Sequence, residues 1–168
     1  MISSESSNIA LHFQDFIGRD AHIFTYLHNT PTWEIAQTIM NRGFKFESHL
    51  DHTSDIVSGH DLVELKYFRL TRMRYGIYTI VIQISKSLID YYSERLKNTH
   101  FHFSEVLSKH EAVMSQDHEP IYTLHEQFVR GCFNQQTMEK HFNPKFDPYK
   151  QLPVFEENLL RLRPELKS

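Results

Sequence analysis

The sequence predicts an α+β fold, a mixed central sheet with flanking helices, and three observations predict it. Residues 76–85 (GIYTIVIQIS) form a nearly continuous β-branched and aromatic run, the composition of a strand covered on both faces in the middle of a sheet. Directly after it, Leu88, Ile89, Tyr92 and Leu96 recur at helical spacing. With 168 residues and 40% hydrophobic content, the chain has the usual size of one domain and can close one sizeable core.

The elements follow in chain order. Ile9, Phe13, Phe16 and Ile17 recur at helical spacing after a Ser-rich start that offers N-caps, and Gly18 supplies a stop. Residues 22–28 (HIFTYLH) are short and rich in β-branched and aromatic side chains, which favours a strand. Thr30-Pro31 offers a capping hydroxyl and a proline suited to a first helical turn. Trp33, Ile35, Ala36, Ile39 and Met40 then lie broadly on one side of a second helix, and Gly43 stops it.

Residues 45–60 are polar, with Asp-His-Thr-Ser-Asp and Ser-Gly turn material, and read as a surface loop of a length often tied to function. Periodicity does not decide between helix and strand for residues 63–74. The helix over 85–96 has Ser85 or Ser87 as its cap, while residues 101–107 are ambiguous. Residues 121–133 end in FVRGCF, a strand interrupted by Gly131, which implies a bulge or a close backbone approach. Past Asn143-Pro144 the chain turns, and Phe155, Leu159, Leu160 and Leu162 form a last helix ended by Pro164. Without repeats or a linker, residues 1–168 read as a single domain.

Composition removes several function classes. A formal charge of −3 gives no global attraction to nucleic acid or to an anionic membrane. The only cysteine, Cys132, cannot form an internal disulfide and sits in an apolar run as a small buried hydrophobe, which favours a reducing compartment. The start of the chain lacks a basic leader with an apolar run, and no eighteen apolar residues stand together, so a cytoplasmic protein without a membrane span is expected. No G-x-S-x-G, P-loop or G-x-G-x-x-G occurs.

Three clusters carry candidate chemistry. At Tyr26-Leu27-His28-Asn29-Thr30 a strand end runs through a turn into a helix start, which presents an imidazole, a hydroxyl and unpaired N–H groups to a ribose or phosphate. The alternative is that His28 and Thr30 satisfy local backbone groups only. Lys66, Arg69, Arg72 and Arg74 lead into Tyr75-Gly76; if residues 72–74 are extended, Arg72 and Arg74 share a face and can grip phosphate. The alternative is a solvated basic face paired with Asp55, Asp61 and Glu64. Twelve histidines include His100-x-His102, His49 with His52, and His60-Asp61. On a strand His100 and His102 would share a face for zinc, but no HExxH occurs and no third ligand is assigned.

The order of these motifs is similar to that of a known family. Tyr26-Leu27-His28-Asn29-Thr30, a helix containing Ile35-Ala36 and Ile39, and then Asn41-Arg42-Gly43-Phe44 resemble the opening of ADP-ribosyltransferase-like proteins, the superfamily of the poly-ADP-ribose polymerases and ADP-ribosylating toxins. Tyr75-Gly76 before the apolar strand resembles the family's middle segment, and Phe128-Val129-Arg130-Gly131 one of its late strands. The likeness covers residues 22–147, between an N-terminal helix in 1–20 and a helical tail in 148–168.

The resemblance implies an NAD-binding protein that transfers ADP-ribose to an unassigned acceptor, protein or nucleic acid. His28 would contact the ribose, Thr30 would support the same turn, Arg72 and Arg74 would hold the phosphates, and Tyr75 would stack on nicotinamide. Glu126 stands in for the catalytic glutamate, orienting a ribose hydroxyl and stabilising the oxocarbenium-like charge as nicotinamide leaves. Asn29 departs from the pattern, standing where the family has glycine. Two other classes stay open: a noncatalytic interaction domain or nucleotide-binding relative, which includes a homo-oligomer, and a histidine-based metal-dependent enzyme.

Overall fold

The computed structural model describes residues 4–57 and 61–167, with side chains from residue 8 onward. Strands β1 (Ile23–Thr30), β2 (Phe44–Glu47), β3 (Asp55–Val57), β4 (Tyr78–Ser85), β5 (Val113–Met114), β6 (Pro120–Leu124), β7 (Val129–Asn134) and β8 (Lys140–Phe142) form two sheets. The larger has the order β3-β1-β4-β7-β8 and the smaller β2-β6-β5. The α-helices are α1 (Ser4–Ile17), α2 (Trp33–Arg42), α3 (Leu62–Arg72), α4 (Lys86–Arg95), α5 (Phe103–Val106) and α6 (Pro153–Leu162), with four short 3-10 turns between and after them among the described residues.

The fold is α+β, but its strand pairings are antiparallel throughout, which corrects the expectation of a mixed sheet. The connections explain why. Thr30 at the end of β1 pairs with Tyr78 at the start of β4, so the intervening elements return the chain to the end of the sheet from which it left.

As its composition predicts, β4 is the central strand, flanked by β1 and β7, with every residue after Tyr78 buried. Alternation along the strands divides the core. On one face Leu27, Val81 and Phe133 meet Ile9, Phe13, Phe16 and Ile17 of α1 and Leu65 and Phe68 of α3. The Phe13 ring lies 5.0 Å from that of Phe133 and 6.2 Å from that of Phe68. Burying each such ring contributes about 1.5–3 kcal/mol. On the other face Tyr26, Ile80, Ile82, Ile84 and Cys132 meet α2, α4, α5, α6 and the smaller sheet. Phe155 and Leu159 of α6 belong to this core, with Phe155 stacked on Phe128 at 5.8 Å.

Several local expectations are corrected. Thr32, rather than Thr30, caps α2, its hydroxyl accepting from the Ile35 N–H, so Pro31 precedes the cap. The expected loop over 45–60 contains most of β2, a 3-10 turn at Leu50–His52, and β3. Residues 63–74 are helical and not extended, α3 passing into a 3-10 turn at Met73–Tyr75. His100 and His102 precede a short helix instead of sharing a strand face. His60 lies outside the described residues.

Gly131 makes the close approach its sequence context implies: a Cβ there would lie 2.1 Å from the His141 carbonyl oxygen. Val81 pairs with Gly131 and Ile82 with Val129, so Arg130 is the extra residue of a bulge. Among the described residues, no helix is long and apolar enough to cross a membrane.

Candidate functional site

The junction where β1 ends and β4 begins gathers polar side chains from three segments, 28–29, 51–55 and 72–75. The first wall is the turn after α3, which folds over the end of β1. Gly76 permits this: its φ is 135°, and a Cβ there would fall 2.2 Å from the Thr30 carbonyl carbon and oxygen. Asn29 fastens the turn, its Nδ2 donating to the Arg72 carbonyl at 3.0 Å and the Gly76 carbonyl at 3.1 Å. Behind it, Thr79 Oγ1 donates to Asn29 Oδ1 at 2.6 Å and accepts from Gln135 Nε2 at 3.0 Å. Arg69 Nε donates to Gln135 Oε1 at 2.7 Å. This polar line ties α3 to β1, to β4 and to the residue that follows β7, each bond contributing about 1 kcal/mol. The Asn29 side chain is therefore engaged in holding the turn.

The second wall is the segment between β2 and β3. Among the described residues, β3 pairs with β1 only at Thr25, Tyr26 and Leu27, so beyond Leu27 that edge of β1 has no strand partner. His28 bridges to this wall: its Nδ1 lies 2.8 Å from the Thr53 carbonyl oxygen. A carbonyl can only accept, so Nδ1 carries the proton and Nε2 keeps its lone pair in the neutral ring. The ring stands edge-on to Phe44 at 4.9 Å. Between the walls lies a cleft of about 550 Å³, lined by Leu27, His28 and Asn29, by residues 51–55, and by Arg72, Arg74 and Tyr75.

The cleft is polar and its charges nearly balance. Arg72 grips Asp55 with two bonds, Nε to Oδ2 at 2.7 Å and Nη2 to Oδ1 at 2.9 Å. Arg74 Nη2 donates to the Tyr75 hydroxyl at 2.9 Å, with the guanidinium 4.8 Å from the Tyr75 ring centre. Burial lowers the His28 pKa, a shift only partly countered by the Thr53 carbonyl and Asp55, so the imidazole is neutral. Two guanidiniums, two carboxylates, the neutral imidazole of His28 and the imidazole of His52 thus face one volume. Against its rim, His49, Asp51 and His102 bring one ligand atom each within 4.8 Å of one another.

Of the six residues singled out in the sequence, His28, Arg72, Arg74 and Tyr75 line this cleft. Thr30 does not: it is buried as the last residue of β1, under Gly76. Glu126 lies in the turn that leads into β7, and β7 begins opposite Ile82, away from the Tyr78 end of β4. Its carboxylate pairs with Lys109 at 3.1 Å and Lys145 at 3.9 Å. Those lysines also reach the Arg42 and Asn41 carbonyls at the end of α2. Burial raises the Glu126 pKa, but its own backbone N–H, Lys109 and His125 outweigh this and hold the carboxyl below the usual range. The expectation that Glu126 shares a cleft with His28 and Tyr75 is corrected accordingly, because the antiparallel course of β7 carries it to the opposite half of the sheet.

Sequence reasoning does not assign Asp51 or His52 to this site, although the long polar segment that holds them is itself a candidate for function. Asp55, one of the acidic residues expected beside the basic ones, is the partner of Arg72. Comparison with protein-family models, curated proteins and solved structures finds no significant match to this chain.

Proposed function

We propose that the chain binds a nucleotide of the NAD class in the cleft at the end of β1, with His28, Arg72, Arg74 and Tyr75 as its contacts. The observation that carries this reading is that these four residues, selected from two motifs more than forty residues apart, line a single volume of about 550 Å³, a size suited to a small ligand. The mixed lining matches the ligand's mixed chemistry. Guanidiniums meet phosphate oxygens, a ring nitrogen with a free lone pair accepts from a ribose hydroxyl, and an exposed phenol ring offers a stacking face.

Thermal denaturation with NAD and with ADP-ribose tests the reading. A ligand at a hundred times its Kd stabilises the native state by about 2.7 kcal/mol, which gives a dose-dependent rise in Tm. Arg74→Ala reduces the rise at a given ligand concentration if the cleft is the site. No rise with either ligand, at concentrations up to millimolar, overturns the proposal.

Binding without turnover is the form that the position of Glu126 favours, since its carboxylate is committed to Lys109 and Lys145 away from the cleft. ADP-ribosyl transfer is the second form. It predicts nicotinamide release from NAD that persists in Glu126→Gln, because Glu126 lies outside the cleft and the chemistry falls to a carboxylate that lines it.

A further inference from the structure

His49, His52 and His102 come from two segments far apart in sequence, yet their rings are packed together. The His49 ring centre lies 3.6 Å from that of His52 and 4.7 Å from that of His102. Asp51 stands beside them, its Oδ2 3.5 Å from His102 Nε2. Two of the nitrogens do little to hold the fold. His49 Nδ1 is buried without a hydrogen-bond partner, and His102 Nε2 faces only the long contact to Asp51. A buried imidazole nitrogen without a partner is costly unless something fills the position.

The His102 ring is held in place from behind. Its Nδ1 lies 2.6 Å from Ser104 Oγ, and the same hydroxyl accepts the Leu50 N–H at 3.1 Å. Ser104 therefore couples the segment carrying His49 and Asp51 to the one carrying His102. Nδ1 also accepts the Ser104 N–H at 3.2 Å as the cap of the short helix, which leaves the ring proton on Nε2; a metal at Nε2 takes the other tautomer, in which Nδ1–H donates to Ser104 Oγ, the outer-sphere arrangement that orients a metal-ligating histidine.

We propose that His49, Asp51 and His102 form a site for a divalent cation of the zinc class, a site separate from the nucleotide contacts. One ligand atom from each residue lies within 4.8 Å of the others. Around an ion with bonds of about 2.0–2.2 Å, neighbouring ligand atoms lie roughly 3–4 Å apart, so a contraction of about 1 Å closes the set. Two imidazoles and a carboxylate suit zinc better than magnesium or calcium. Three protein ligands leave a position open, and Asp51 also lines the cleft, so the ion would sit where a cleft-bound ligand can reach it.

The test uses the full chain, stripped of metal by a chelator and titrated with Co²⁺ and then Zn²⁺ in the absence of nucleotide, so that it stands whether or not NAD binds. Expected are one equivalent of Co²⁺ with the visible absorption of a low-coordinate site, and its displacement by Zn²⁺. His102→Asn keeps a side-chain acceptor for the Ser104 N–H and removes Nε2, so a purely capping role survives it. Affinity falls by about tenfold or more in this variant and in His49→Phe, and stays unchanged in His100→Ala. In the unmodified protein, Zn²⁺ shifts the imidazole resonances of His49 and His102 but not that of His100. Absence of stoichiometric binding, affinity unchanged in folded His102→Asn and His49→Phe, or unmoved resonances of these two rings would each overturn the site.

Discussion

Arg72 spans the cleft to Asp55 in a two-point ion pair, Nε to Oδ2 at 2.7 Å and Nη2 to Oδ1 at 2.9 Å. The guanidinium that the sequence offers to a phosphate is thus neutralised in the free protein, and a phosphate must compete with the carboxylate. Asp55→Asn removes the competing charge while keeping the side-chain shape. Charge removal at this range in a solvent-facing site is worth about 1 kcal/mol, so ADP-ribose binds about fivefold more tightly by calorimetry. Both partners are about one-third exposed, so stability changes by less than about 1 kcal/mol. Unchanged affinity would remove Arg72 from the ligand contacts.

Gly76 sets the position of the turn that carries Arg74 and Tyr75. Any side chain would collide with the Thr30 carbonyl group at 2.2 Å, and the positive φ adds backbone strain. Gly76→Ala therefore costs about 2 kcal/mol or more in urea unfolding, and ligand affinity falls further because the turn is pushed off β1.

Thr79 is the midpoint of the polar line, donating to Asn29 and accepting from Gln135. Thr79→Val has nearly the same shape but leaves both amides without that partner, which costs about 1–3 kcal/mol. Thr79→Ser restores the hydroxyl and recovers most of the loss. Equal stability of the two variants in urea unfolding would show that the line does not hold the wall.

How much of the fold and site is legible in the sequence depends on the range of the interactions involved. β4 declares itself because it is buried on both faces, so composition alone marks it. α3 is undecided by pattern because Val63, Tyr67 and Leu70 are apolar yet exposed, at 75%, 66% and 82%, which blurs the stripe that Leu65 and Phe68 bury. β2 is lost in a polar stretch because its alternation of buried Phe44 and Phe46 with exposed Lys45 and Glu47 lasts only four residues. The motif order draws attention to His28 and Tyr75, but the place of Glu126 depends on strand order, which no local pattern encodes. The role of Asn29 is equally hidden, because its partners lie more than forty residues away.

His28 and His125 give the protein an acid-sensitive stability. Burial lowers the His28 pKa against the opposing Thr53 carbonyl and Asp55. It also lowers that of His125, with Glu126 opposing and Lys109 and Lys145 adding to the shift. Above the ordinary histidine pKa of about 6.5, both rings are neutral in the folded and unfolded chains and the full stability is present. As the pH falls below that value, the unfolded chain takes up protons that the folded chain refuses, so stability falls until the folded-state pKa values are passed. Urea midpoints measured with chelator decline from pH 7.5 to pH 5.5, and His28→Gln reduces the decline. A flat profile over that interval would contradict the burial argument.

Tyr75 and Arg74 separate the two halves of the proposed ligand. The Tyr75 ring is about half exposed, with the Arg74 guanidinium 4.8 Å from its centre, so the ring is available for stacking while the cation is available for phosphate. If Tyr75 stacks on nicotinamide, Tyr75→Ala loses about 0.5–1.5 kcal/mol of affinity for NAD, roughly two- to tenfold, and almost none for ADP-ribose, which lacks that ring. Arg74→Ala weakens both, because both carry the pyrophosphate, and the loss shrinks as salt is raised. Calorimetric titration of the two variants with the two ligands gives four numbers. Only a loss for Tyr75→Ala confined to NAD, beside a shared loss for Arg74→Ala, matches a nucleotide lying with its nicotinamide toward Tyr75; equal losses for both ligands in Tyr75→Ala would place the phenol against the common ADP-ribose portion instead.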